Sequence, residues 1–237
     1  MRDLHPPVLG AGEVAVNFGT RKRDSLSLRG GCATVPPVLN PTHLRAQLQR
    51  ARAITPGWRL LWREVVLRRA VIARYRLRAT GQAVFLRHRS ADLGGVTEIV
   101  VNRIYASPEV TRILSEISGP PRVVDLGANI GLFSLRMQAE RPDATIIAVE
   151  PDPSNARMLK ATAVANDAPW TVIEACAATE DGTVLFEAGR FLESSIGDAG
   201  QPTPAVDVLP FLIDADVEHA TQDLLLGELC VTEQWAR

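Results

Sequence analysis

The sequence predicts an α/β fold built on a doubly wound, mostly parallel sheet, and three observations predict it. The apolar run Arg122 to Leu126 reads as a buried strand and leads straight into a turn bearing Gly127 and Gly131. A second apolar run, Thr145 to Val149, follows a helical stretch and ends on a carboxylate, Glu150. Strand-like and helix-like stretches then go on alternating, as βα units do when their strands lie parallel.

The 237 residues suffice for one medium domain with extras or for two small ones, and 46% are hydrophobic, enough for a packed core. A net charge of −1 argues against a dedicated nucleic-acid binder. The charge is unevenly spread. Between Arg45 and Arg89 the basic residues are Arg45, 50, 52, 59, 63, 68, 69, 74, 76, 78, 87 and 89, against Glu64 alone. Cys32, Cys176 and Cys230 are far apart and form no zinc-spaced cluster, so a reducing, cytoplasmic setting is the simplest reading. No metal site is expected. No apolar run has the length of a membrane span, and the first residues lack the apolar core of a signal peptide.

Taken in order, residues 1–43 carry five prolines, several glycines and the charged patch Arg21 to Asp24, and read as an unstructured tail. Residues 44–80 read as a basic helical segment. Thr42 is a candidate cap for a first helix with Leu44, Leu48 and Ala51 on one face, and Pro56-Gly57 breaks the chain. Trp58 to Leu77 reads as one helix with Leu61, Val65, Leu67, Val71 and Ile72 as its apolar members. Trp58 and Trp62 among arginines are compatible with an anionic membrane surface through 58–78, but the favoured reading is a helix packed on the main domain with its arginines in water.

Residues 81–237 read as the main domain, opening with a lead-in over 83–105. Ala83 to Arg87 and Val96 to Val101 read as strands, and Ser107-Pro108-Glu109 as a capped helix start ended by Gly119-Pro120-Pro121. Strand 122–126, helix 130–140, strand 145–149, helix 153–166 and strand 170–175 follow. Asp181-Gly182 reads as a turn joining 176–179 to 183–187.

The turn itself carries chemistry. Gly127 allows a sharp exit from the strand, Asn129 tolerates left-handed backbone, and Gly131 lets the helix start close to strand and ligand. Asp125 stands near the strand end. Strand, glycine turn, helix, strand and acid in this order and spacing describe a nucleoside site, with Glu150 placed to accept hydrogen bonds from ribose hydroxyls. The dinucleotide pattern G-x-G-x-x-G is not matched, because Asn129 and Leu132 stand where its second and third glycines belong. A ligand without a pyrophosphate fits better, and S-adenosylmethionine is one.

These residues carry a resemblance. Val123 to Ser134 followed by Ala148 to Pro153 resembles class I S-adenosylmethionine-dependent methyltransferases, and more narrowly the FkbM family. Asn166, Cys176-Ala-Ala178 and Asp181-Gly182 continue the likeness downstream, and Phe85-Leu-Arg87, Asp92 and Tyr105 upstream, so that it covers about residues 83–213. It implies a Rossmann-like sheet with an N-terminal helical and β lead-in. It implies that Asp125, Gly127, Ala128, Asn129 and Gly131 line the methionine end of the cofactor and that Glu150 holds the ribose. Asp152 would lie near the adenine and Ala177 beside its ring. The implied activity is O-methylation of a hydroxyl on a sugar or secondary metabolite.

The C-terminal part departs from the family. Ala205 to Leu212 resembles a family segment, but the strand expected next, with its Lys-Ile-Asp-x-Glu-Gly pattern, does not follow. The expectation is a truncated or frame-altered member whose sheet is incomplete on the C-terminal side, with Leu224 to Val231 either a replacement strand or a short helix. A general base is not assigned: His88 and His219 qualify by residue type alone. Two rival readings stand beside the methyltransferase. One is a cofactor-binding remnant without catalysis, or a chain that works only with a partner over its open edge. The other is an NAD-dependent oxidoreductase with an atypical turn.

Overall fold

A computed structural model of the chain describes residues 13–16, 41–187, 195–196 and 200–212. Most of the expected tail, the patch Arg21 to Asp24, Cys32, Cys230, His219 and the segment Leu224 to Val231 lie outside the described residues. Two units divide the chain: Thr20–Arg103, and Met1–Gly19 together with Ile104–Arg237. The first strand, β1 (Glu13–Val16), lies within the stretch whose composition predicts no structure, and belongs to the sheet of the larger unit.

In the unit Thr20–Arg103 the first helix is α1 (Pro41–Ala53), which starts one residue ahead of the expected cap Thr42. Of its expected inner face only Ala51 is buried, while Leu44 and Leu48 are exposed. β2 (Ile54–Thr55) and α2 (Gly57–Leu61) follow. The helix continues through Trp62–Leu67 in wider turns, the Arg68 amide donating five residues back to the Arg63 carbonyl at 2.9 Å. Arg68 at φ +50 ends it.

The expected single helix over 58–77 is therefore wrong beyond Leu67. Ile72–Leu77 is β3, paired antiparallel with β2 and with β4 (Ala83–Arg87) in a three-stranded sheet of order β2-β3-β4. Ala73, Tyr75 and Leu77 point inward and Ile72, Arg74 and Arg76 outward, a period of two that the run of arginines concealed. The strand expected over 96–101 is also wrong. α3 (Asp92–Gly95) continues as a helix through Val96–Val101, with the Asn102 amide on the Thr97 carbonyl. The β propensity of Val and Ile gives way to local bonds: the Ser90 hydroxyl accepts from the Asp92 amide, and the Thr97 hydroxyl donates to the Leu93 carbonyl and accepts from the Arg50 guanidinium at 2.6 Å.

The larger unit resumes with α4 (Pro108–Glu116), whose cap Ser107 accepts from the Val110 amide as its sequence predicts. Then come β5 (Arg122–Leu126), α5 (Leu132–Glu140), β6 (Thr145–Val149), α6 (Pro153–Ala165) and β7 (Thr171–Ile173). β1, β5, β6 and β7 form a parallel sheet in that order, with Asp125 opposite Ala148 and Leu126 opposite Val149. The architecture is thus mixed α/β around a parallel sheet.

The strand expected over 170–175 is split. β7 stops at Ile173, and Cys176–Ala178 is β8 of a second sheet with β9 (Gly182–Glu187), β10 (Ser195–Ile196) and β11 (Gln201–Asp207), in the order β10-β9-β11-β8. Asp181-Gly182 does connect β8 to β9, but the two strands do not pair. β11 lies between them, parallel to β8 and antiparallel to β9, and its Asp207 amide donates to the Asp181 carboxylate. The short α7 (Leu209–Leu212) ends the described chain. Val124, Leu126, Val149 and Val208 form a buried cluster that joins the parallel sheet to the end of β11. Among the described residues no helix is long and apolar enough to cross a membrane.

Candidate functional site

The glycine turn forms where β5 ends. Gly127 at φ +73, Asn129 at +51 and Gly131 at +86 take the left-handed backbone that the sequence assigns to them. Three left-handed residues in five fold the chain back on itself, and the amides of Gly127 and Ala128 both donate to the Val149 carbonyl, at 2.9 and 3.0 Å. The turn is thereby fastened to the end of β6. At Gly131 a side chain would meet Leu159 Cδ1 at 2.8 Å and the Trp170 ring at 3.0 Å, so α5 starts hard against α6 and Trp170.

Glu150 faces this turn. Its Oε2 accepts from the Asn129 amide at 2.7 Å. Its Oε1 accepts from the Asp152 amide at 2.9 Å and from Asn155 Nδ2 at 3.2 Å. The side chain is 4% exposed. Burial, with a contribution from the Asp152 charge, pushes its carboxyl up to about 7 against the pull of its three N–H donors. Glu150 thus clasps the β5–α5 turn to the β6–α6 turn, and Oε2 has one lone-pair direction left for a further donor.

The other expected site residues are distributed around this clasp. Asp125 is fully buried under the turn, its Oδ2 accepting from the Ser134 hydroxyl at 2.6 Å. Gly127 is exposed, so backbone there is open to close approach, while Ala128 is buried. The Oδ1 of Asn129 is buried and has no hydrogen-bond partner among the described residues. Asp152 caps α6, its Oδ1 accepting from the amides of Ser154 and Asn155. Ala177 sits on β8, opposite Val206, and packs against the Val124–Val149 cluster. Its neighbour Cys176 is buried, and burial together with the Glu150 charge pushes its thiol up to about 11, an unreactive value.

Two participants escape the sequence reading, Ser134 and Asn155. Both stand in the first turns of the helices that follow the two strands, and each binds the carboxylate at the end of the strand before it. A Ser nine residues after Asp125 and an Asn five after Glu150 are the only signals, and neither spacing is distinctive.

The lead-in residues form a separate set. In the unit Thr20–Arg103, Arg87 grips buried Asp92 with two nitrogens, at 2.7 and 3.0 Å. His88 is 1% exposed, its Nδ1 2.6 Å from Glu64 Oε1 and its Nε2 2.7 Å from the Tyr75 hydroxyl. So enclosed, it is a packing residue and not a general base. Tyr105, in the larger unit, lies edge-on to Phe133 with ring centroids 5.0 Å apart.

Over 55 residues the chain is 44% identical to methyltransferase sdnD of Sordaria araneosa, a match that covers 23% of this chain and 21% of that protein. No family model matches the chain, and no solved structure matches it. The likeness supports a methyltransferase and stops short of naming its family.

Proposed function

We infer that the chain is an S-adenosylmethionine-dependent methyltransferase of Rossmann-like fold and FkbM type, acting on the oxygen of a hydroxyl in a sugar or secondary metabolite. The observation that carries this reading is the Asn129–Glu150 bond, which brings a left-handed glycine turn and a buried acid together at the ends of two adjacent parallel strands. The donor set suits the cofactor. The bare backbone at Gly127 admits close approach, and the buried Asn129 Oδ1 wants a donor such as an ammonium group. The spare lone pair of Glu150 Oε2 wants a ribose hydroxyl.

When bound, the cofactor supplies a methyl group already activated by a sulfonium. The chain's own work is to bind, align and keep water out. Asp125, through Ser134, and Glu150, through Asn155, hold the first turns of α5 and α6 against the ends of the strands before them. On this reading Asp152 and Ala177 border the adenine.

Titration calorimetry with S-adenosylmethionine and with NAD tests the cofactor. Binding of the first and not the second is the expected result, and the reverse would leave the oxidoreductase reading standing. A methyl-release assay over hydroxylated acceptors then separates an active enzyme from a cofactor-binding remnant.

A further inference from the structure

Residues 41–103 contain three acids, and none of them is exposed: Glu64 and Asp92 are buried and bound to His88 and Arg87, and Glu98 is half-buried. Arg45, Arg52, Arg59, Arg68 and Arg69 of the same stretch are exposed. Among the described residues 41–103 the exposed charges are therefore all cationic.

Within that cationic surface lies an apolar stripe. Trp58, Trp62 and Val66 follow at intervals of four along α2 and its continuation, and are 66%, 51% and 52% exposed. The Arg59 guanidinium lies 5.4 Å from the Trp58 ring centre, so cation and aromatic share one face. These are not the apolar members a 58–77 helix would bury. The helix stops at Leu67 and leaves its tryptophans outside.

We propose that this face docks on an anionic lipid surface. Charge complementarity picks the partner: exposed arginines with no exposed acid among the described residues 41–103 call for a dense negative field. The apolar members decide which one. Trp is the side chain that settles at the boundary of headgroup and acyl chain, and Val66 can follow it into hydrocarbon. A nucleic-acid backbone would use the arginines and stack on the rings, but would leave Val66 in water. Arginine stems lie along the apolar surface while their heads reach the lipid phosphates. The surface places the protein beside a bilayer without crossing it.

The test is co-sedimentation of the full chain with phosphatidylcholine vesicles and with vesicles containing phosphatidylserine as well, at low and high salt. Binding to the anionic vesicles alone, weakened by salt, is expected. The double substitution Trp58→Ala, Trp62→Ala should lower that binding by about tenfold or more. Both rings are exposed, so the melting temperature and far-ultraviolet circular dichroism should stay as in the parent chain. A second variant, Arg68→Gln with Arg69→Gln, should reduce binding in the same assay. Absence of binding to anionic vesicles, or binding that ignores both variants, overturns the proposal. So does light scattering that shows a dimer which the tryptophan variant converts to monomer, since a second copy would then be the occupant. Single-stranded RNA that displaces the chain from vesicles and binds it equally well in the tryptophan variant also overturns it.

Discussion

The amide of Asn129 donates to Glu150 Oε2 at 2.7 Å, and through that bond a turn after one strand is held by a carboxylate after the next. Three N–H groups converge on Glu150, from the turn after β5, the turn after β6 and the first turn of α6. Replacing Glu150 by Ala removes every acceptor. Buried N–H groups without partners cost ~1–3 kcal/mol each, and water entering the space left behind would recover part of it. The expected outcome is a fall in melting temperature together with loss of most S-adenosylmethionine affinity, read by thermal melting and calorimetry. An unchanged affinity would remove Glu150 from the site.

Glu150→Gln isolates the charge. Burial raises the Glu150 carboxyl from its ordinary 4.5 to about 7, so between those values the folded chain holds a proton that the unfolded chain has released. The stability contributed by that proton is complete below the ordinary value and is lost as pH rises through about 7. The linked change is at most roughly 3 kcal/mol. A ribose hydroxyl donating to the carboxylate favours the ionised form, so cofactor affinity should move the opposite way and rise over the same window. Melting curves of the parent chain across that window should slope downward with pH more steeply than those of the Gln variant. Equal slopes would show that Glu150 does not titrate there.

Gly131 offers a cleaner steric test. An alanine there must keep φ +86 and set its Cβ 2.8 Å from Leu159 Cδ1 and 3.0 Å from the Trp170 ring. Gly81 has a similar φ of +74 and nothing within 4 Å of an added Cβ. Both substitutions carry the left-handed penalty of ~1–2 kcal/mol. Gly131→Ala alone adds overpacking of ~1–3 kcal/mol. Denaturant melts of the two variants should therefore differ by about the overpacking term, and equal losses would mean that α5 and α6 can part without cost.

The same residues show how far the sequence could be read. Strands 122–126 and 145–149 emerge with their bounds because both are short apolar runs between turn residues, and a parallel strand is buried on both faces. Gly127, Asn129 and Gly131 emerge because left-handed backbone restricts residue type. The helix after the turn begins at Leu132 and not at 130, since Gly131 is itself left-handed and stands at the cap. β3 was hidden because Arg74 and Arg76 suit an exposed strand face as well as a helix surface, and only Ala73, Tyr75 and Leu77 carry the period. The insertion of β11 between β8 and β9 could not be read at all. Asp181 and Asp207 are far apart in sequence, and nothing local in either announces their bond.

Arg63, Tyr75, His88 and Glu64 form a buried chain whose hydrogen-bond directions can be worked out. The Glu64 carboxylate accepts from His88 Nδ1, so that nitrogen carries the proton. With neutral imidazole, Nε2 accepts from the Tyr75 hydroxyl, and the hydroxyl oxygen accepts from the Arg63 guanidinium at 3.1 Å. Every group then has a partner. Burial would raise Glu64, yet the donors His88 and the Arg89 amide outweigh it and draw the carboxyl below its ordinary value. Burial raises the Tyr75 hydroxyl, so it stays protonated and donates. Tyr75→Phe deprives His88 Nε2 of its donor and Arg63 of an acceptor without changing the ring volume, and should cost ~1–3 kcal/mol. Glu64→Gln removes a group with a depressed carboxyl, whose stabilisation is present above its unfolded value and lost as pH falls through its folded one. The parent chain should therefore lose its advantage over the Gln variant on acidification. Guanidinium melts of the parent chain and both variants, at neutral pH and near pH 4, measure both effects. A Tyr75→Phe chain as stable as its parent would show that water already serves the buried ring.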